Sequence, residues 1–251
     1  MLVDRERELT KVVENMQRGV HTLVFGPMGT GKSALLQEAA FQLNQSRPAG
    51  MRAIYVRDCS QCRSLLEGAL SNLPQESRSA TRRPLHSTSR VEGWMRVQDL
   101  RDMLFSCVRK GRACFLLDHL PPLHHRMQRL LELLEERFTL ACAATASRAG
   151  YDLYYWRFDK VELGDLKVDV ALRWVEEELG CLRYAGSLQG AIAREVVRLA
   201  GGNPGSISET LNVIRSQPRP LDDPIRVRRM FIDGRMNRYF RSSRRRPARD
   251  R

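Results

Sequence analysis

Eight consecutive residues, Gly26-Pro27-Met28-Gly29-Thr30-Gly31-Lys32-Ser33, restrict this chain to very few folds. They satisfy the pattern GxxxxGK[ST] at every fixed position. An apolar segment that reads as a strand, His21-Thr22-Leu23-Val24-Phe25, leads into them. A segment with the make-up of a helix, Ser33-Ala34-Leu35-Leu36-Gln37-Glu38-Ala39-Ala40, leads out. Glycines let such a loop curl so that successive N–H groups converge, and the following helix turns its positive end toward the same anion. Lys32 then reaches the β- and γ-phosphates, and the Ser33 hydroxyl ligates Mg²⁺. Gly26, Pro27, Met28, Gly29, Thr30, Gly31, Lys32 and Ser33 are therefore expected to hold a nucleoside triphosphate.

The rest of the chain supplies an alternation that sets the class. Short apolar runs at 52–56, 113–117, 140–144 and 160–163 join the strand at 21–25, and segments of helical periodicity separate them. This predicts an α/β domain over 1–164, a parallel sheet with helices on both faces and ligands at the carboxyl ends of its strands. After Gly164 the strands stop. Residues 168–179, 187–200 and 206–214 read as three helices separated by glycine-containing breaks, a helical lid over 165–216.

The chain of 251 residues carries a formal charge of +13, distributed unevenly. Between 226 and 251 eleven arginines stand against two aspartates, a surplus of nine positive charges. Residues 217–251 are thus expected to be a basic, partly disordered tail suited to a polyanion or an acidic protein surface, or simply to solvation. A second basic stretch, 74–92, lacks apolar periodicity and reads as a mobile loop able to join the tail on nucleic acid. No apolar run approaches the roughly 20 residues that cross a bilayer, and Met1-Leu2-Val3-Asp4-Arg5-Glu6 has no signal-peptide pattern. A cytoplasmic protein with no membrane partner follows. Six scattered cysteines read as reduced thiols, and the lone Cys59-Ser-Gln-Cys62 lacks further metal ligands at suitable spacing.

Asp118 ends the apolar run Ala113-Cys114-Phe115-Leu116-Leu117. An acid at the tip of a strand beside the phosphate loop holds Mg²⁺ through its water shell, as in the second Walker motif. His119 follows, either a weak base for the attacking water or only a hydrogen-bond partner. Thr145, at the end of the fourth strand, is placed to face the γ-phosphate from the strand expected to neighbour the phosphate loop, an arrangement that resembles the additional-strand class of phosphate-loop proteins. Arg148 is placed to bind phosphate or acidic groups, or instead to cap the helix or pair with Asp152. The aromatic segment 151–158 is expected to pack a helical lid onto the α/β core rather than to stack bases.

These residues together resemble the AAA+ and STAND ATPases, including archaeal initiators of the origin-recognition type. Leu2-Val3-Asp4-Arg5-Glu6-Arg7-Glu8-Leu9 is similar to their entry segment, with Asp4 in place of the usual glycine. The resemblance implies adenine contacts near Val3 and Arg5. It continues through Phe115-Leu116-Leu117-Asp118, Ala144-Thr145-Ala146-Ser147-Arg148 and the hinge-like Glu162-Leu163-Gly164-Asp165-Leu166. Gly202-Asn203-Pro204 is similar to the GxP motif that STAND lids place against nucleotide. What the resemblance implies is an ATP- and Mg²⁺-dependent ATPase that assembles on ATP binding. His119 stands where those families carry a catalytic acid, which predicts slow hydrolysis used as a conformational switch. The alternative is an ATP-stabilised signalling or assembly subunit that does not hydrolyse and binds a protein partner.

Overall fold

A computed structural model describes residues 2–46, 51–73, 95–145, 154–181, 187–217 and 225–232. The basic loop 74–92, Arg148 and the arginines beyond residue 232 lie outside the described residues. Two compact units are present, Met1–Leu163 and Gly164–Arg251.

The first unit is built on five parallel strands: β1 (Thr22–Gly26), β2 (Arg52–Val56), β3 (Ala113–Leu117), β4 (Thr139–Thr145) and β5 (Asp159–Glu162). Their order across the sheet is β2-β3-β4-β1-β5. Helices α1 (Glu6–Arg18), α2 (Lys32–Ser46), α3 (Cys62–Ser71), α4 (Val97–Cys107) and α5 (His125–Glu135) cover it. Strand β3 is buried throughout, and its residues alternate between two cores as period two requires. Cys114 and Leu116 meet Leu9, Val12, Leu35 and Leu36 from α1 and α2. Phe115 and Leu117 join a core containing Leu65, Leu100, Leu104 and Leu131 from α3, α4 and α5. Burial on both faces explains why these strands read as continuous apolar runs.

This order bears out the expected place of the fourth strand: β4 lies between β1, which leads into the phosphate loop, and β3, whose tip carries Asp118. Thr145 is the residue whose backbone pairs with Gly26.

Strand β2 forms one edge of the sheet, and two asparagines close it. The Asn44 side chain accepts from the Ala53 N–H at 3.0 Å and donates to the Ala53 carbonyl at 2.9 Å. Asn72 Nδ2 donates to the Tyr55 carbonyl at 2.8 Å. At the other side of the sheet, α1 is tied to β1 and β5. Asn15 Nδ2 donates to Thr22 Oγ1 at 3.1 Å and to Asp159 Oδ2 at 2.8 Å.

The aromatic segment packs, but within the α/β unit's own core. Tyr154 and Tyr155 lie in a short 3₁₀ turn (Tyr154–Arg157), and with Phe158 they belong to the core under α5. Their ring centroids are 4.9–5.8 Å apart. Trp156 is left exposed.

The second unit contains α6 (Val168–Cys181), α7 (Ser187–Ala200) and α8 (Pro204–Arg215). A further helix, α9, spans residues 225–232. This helix lies within the tail expected to be partly disordered. Val227 is fully buried, and Arg228 Nε donates to Glu195 Oε1 of α7 at 3.0 Å. Arg198 and Arg228 together hold the Glu195 carboxyl down to about 2. Like charges along α9 do not prevent docking, because a buried valine and a paired carboxylate anchor it. No helix among the described residues is long and apolar enough to cross a membrane.

Candidate nucleotide-binding site

The loop after β1 needs backbone conformations that side chains resist. Gly26, Gly29 and Gly31 have φ of 155°, 87° and 95°, in the range where glycine is favoured. Gly26 is also pressed against β5: a Cβ there would lie 2.1 Å from the Leu163 carbonyl oxygen. Thr30, nearly fully buried, donates its hydroxyl proton to the Pro27 carbonyl at 2.9 Å and pins the turn from inside. Helix α2 starts immediately, with the Leu35 N–H bonding the Gly31 carbonyl at 2.9 Å. Its positive end therefore coincides with the loop. Ser33 is the second residue of that helix and is partly exposed, and Met28 is exposed at the loop's outer turn.

Lys32 Nζ donates to the Gly26 carbonyl at 2.9 Å and to the Pro27 carbonyl at 2.6 Å. The ammonium is thereby folded back over the loop, at the place a β- or γ-phosphate would take. Burial lowers its pKa, while the charge of Asp118 pulls it back up. This coupling places the two groups in one electrostatic environment although β4 separates their strands.

Asp118 is almost completely buried, and both of its oxygens are engaged. Oδ1 accepts from the His119 backbone N–H at 2.8 Å. Oδ2 accepts from the Tyr55 hydroxyl at 2.9 Å. Tyr55 in turn accepts from Gln37 Nε2 of α2 at 3.1 Å. Sequence reasoning missed both Tyr55 and Gln37. Their meeting depends on pairing across 18 and 63 positions, and no local pattern encodes it.

His119 adopts a φ of 52°, an uncommon left-handed conformation for a residue with a side chain. Its Nδ1 lies 3.0 Å from the Arg57 carbonyl and 3.2 Å from Asp118 Oδ2. Both neighbours are acceptors, so Nδ1 is the ring nitrogen that donates to them. The bond to Arg57 draws the ring toward the end of β2, on the far side of β3 from β4 and β1. Of the two roles read from sequence, this geometry fits the hydrogen-bond partner better than the base. His119→Ala is accordingly expected to leave ATP turnover within about tenfold, short of the roughly 10²–10⁴-fold of a general base. Steady-state phosphate release measures this; a hundredfold loss would return the base to His119.

The remaining candidates fall in several places. The Thr145 backbone lies alongside Gly26, and Arg148 is outside the described residues. Asp4 has a φ of 52°, a conformation in which glycine is the usual occupant and aspartate a tolerated one. Val3 is partly exposed, while Arg5 is buried and its Nη1 lies 3.3 Å from Glu8 Oε1. In the helical unit Asn203 caps α8, accepting from the Ser206 N–H at 3.2 Å, and donates to Asp165 Oδ1 at 3.0 Å. Pro204 is the first residue of that helix, where a missing N–H costs nothing. Cys59 is buried and burial raises its thiol pKa; no cluster of metal-ligating side chains occurs among the described residues.

No protein-family model and no curated protein sequence matches the chain. Solved structures do match its fold. PCH-2 of C. elegans superposes with a TM-score of 0.58 at 12% identity, over 95% of this chain and 70% of that one. The Walker-type ATPase PABY2304 of Pyrococcus abyssi gives 0.58 at 16% identity, over 99% and 77%. AMPPCP-bound DnaA of Aquifex aeolicus gives 0.51 at 17%, over 87% and 64%. At such identities the likeness is one of fold alone, a parallel α/β core shared with these proteins, a Walker-type ATPase among them.

Proposed function

We propose that this chain binds ATP with Mg²⁺ and is an AAA+/STAND-like ATPase whose slow hydrolysis serves as a conformational switch. The observation that carries the reading is the loop 26–33: three glycines at positive φ, a helix opening behind them, and Lys32 electrostatically coupled to Asp118. Triphosphate oxygens replace the Gly26 and Pro27 carbonyls as partners of Lys32. The Ser33 hydroxyl and the Asp118 carboxylate are oxygen donors of the kind Mg²⁺ takes, and they would hold it. The metal supplies charge neutralisation at the transferred phosphoryl group. Val3 and Arg5 are assigned to the adenine side, Thr145 and Arg148 to the γ-phosphate, and Asn203 and Pro204 to the lid's response.

The partner proposed for the basic residues 226–251 and 74–92 is nucleic acid, with assembly of several copies on ATP binding. A second reading is a non-hydrolysing, ATP-stabilised subunit that docks a protein. One observation favours it: the residue after Asp118 is an imidazole turned toward the Arg57 carbonyl rather than an acid.

Direct titration with ATP tests the common part of both readings. Lys32→Ala removes the cation from the β/γ-phosphates and is expected to weaken binding by about 1.5–3 kcal/mol, the range for a charge-assisted hydrogen bond. Equal affinity in the variant and the parent chain sinks the assignment.

A further inference from the structure

Tyr55 belongs to β2, the outermost strand, yet its hydroxyl reaches the acid at the end of β3. Its two hydrogen bonds have a fixed direction. A tyrosine phenol keeps its proton at neutral pH. A phenol has one proton to give. Asp118 Oδ2 can only accept, so the proton points there, at 2.9 Å. The oxygen lone pair is left for the Gln37 amide, at 3.1 Å. With Oδ1 held by the His119 N–H at 2.8 Å, the carboxylate is gripped at both oxygens and its rotation is blocked.

The third partner is weaker. His119 Nδ1 sits 3.2 Å from Oδ2 and is shared with the Arg57 carbonyl, on a side chain that is 62% exposed. Removing the Tyr55 hydroxyl would therefore leave Oδ2 with only an exposed, shared donor. Gln37 adds a link of another kind. It is carried on α2, the helix that begins at Lys32. The phosphate loop and the Asp118 carboxylate are thus joined by side chains, around β4 rather than through it.

Building on the ATP–Mg²⁺ reading above, we infer that Tyr55 is the positioning residue of this site: its hydroxyl sets the orientation in which Asp118 meets the metal–triphosphate complex, and Gln37 keeps that orientation in register with the phosphate loop. Neither residue touches nucleotide. Their effect appears only in what Asp118 does.

The test uses the full chain and a fluorescent ATP analogue, titrated once in Mg²⁺ and once in EDTA. Tyr55→Phe keeps the ring and its packing and deletes only the hydroxyl. Affinity in Mg²⁺ is expected to fall about tenfold, as for loss of a hydrogen bond to a charged group, while affinity in EDTA stays within about twofold. Gln37→Leu is expected to shift the Mg²⁺ value in the same direction by about threefold, and it keeps the question answerable if Tyr55→Phe does not fold. Losses of equal size in Mg²⁺ and EDTA would show a merely structural tyrosine and overturn the inference, as would an unchanged Mg²⁺ affinity. A parent chain that binds no analogue in either condition overturns the nucleotide reading itself, and this inference with it.

Discussion

Gly26→Ala is expected to destabilise the α/β unit by at least about 3 kcal/mol, with nucleotide binding lost along with it. The added methyl carbon would sit 2.1 Å from the Leu163 oxygen and 3.0 Å from its carbonyl carbon. These are main-chain atoms, and they cannot swing aside as a side chain does. Leu163 is itself pinned by its N–H bond to the Phe25 carbonyl at 2.8 Å, so relief requires β1 and β5 to part. Gly31→Ala makes the contrast. Its φ is 95° but nothing lies within 4 Å of the new carbon, so only the backbone term of about 1–2 kcal/mol remains. Urea unfolding of both variants measures the difference. Equal losses would show that the contact with β5 is not the cause.

Two truncations are expected to behave differently, because helix α9 belongs to the folded second unit. A chain ending at Gln217 loses the buried Val227, worth about 1.5–3 kcal/mol, and strips Arg228 from Glu195. A chain ending at Ile232 keeps both, and gives up residues 233–251, with the eight arginines at 235, 238, 241, 244, 245, 246, 249 and 251 and the two aspartates at 233 and 250. If those arginines meet phosphates, the longer truncate melts like the parent, but its DNA affinity has a flatter dependence on salt. The log–log slope should shrink by about 0.9 for each duplex phosphate contact removed, or about 0.7 on single strands. DNA affinity over a salt series, beside thermal melts of all three chains, reads both effects. A parent chain without salt-dependent DNA affinity rejects the nucleic-acid partner and leaves the protein-docking reading.

What could be read in advance follows from the range of the forces involved. The phosphate loop was legible because its demands are local: positive φ at fixed spacings, a cation, a hydroxyl. Strand β3 was legible because burial on both faces leaves an unbroken apolar run. The place of the fourth strand beside the phosphate loop was legible from the strand–helix excursion between the two motifs, and the sheet order agrees. The Gln37–Tyr55–Asp118 chain was hidden, because it depends on contacts between segments far apart in the chain. Helix α9 was obscured by its arginines. Ile225, Val227, Met230 and Phe231 do carry helical spacing, but the charge count outweighed them. The described residues turn His119 toward β2, which spacing alone could not determine.

The asparagines over β2 have a consequence for how copies of this chain meet. An outer strand ordinarily offers its free N–H and C=O groups to any extended segment that drifts past, and fibrous aggregation starts there. Asn44 imitates a neighbouring peptide group, occupying both the donor and the acceptor of Ala53, and Asn72 takes the Tyr55 carbonyl. Strand addition at this margin would have to displace three satisfied bonds before forming its own. The assembly proposed above would be steered away from this sheet margin and toward side-chain surfaces, and a partly unfolded neighbour would have to break those bonds before pairing there.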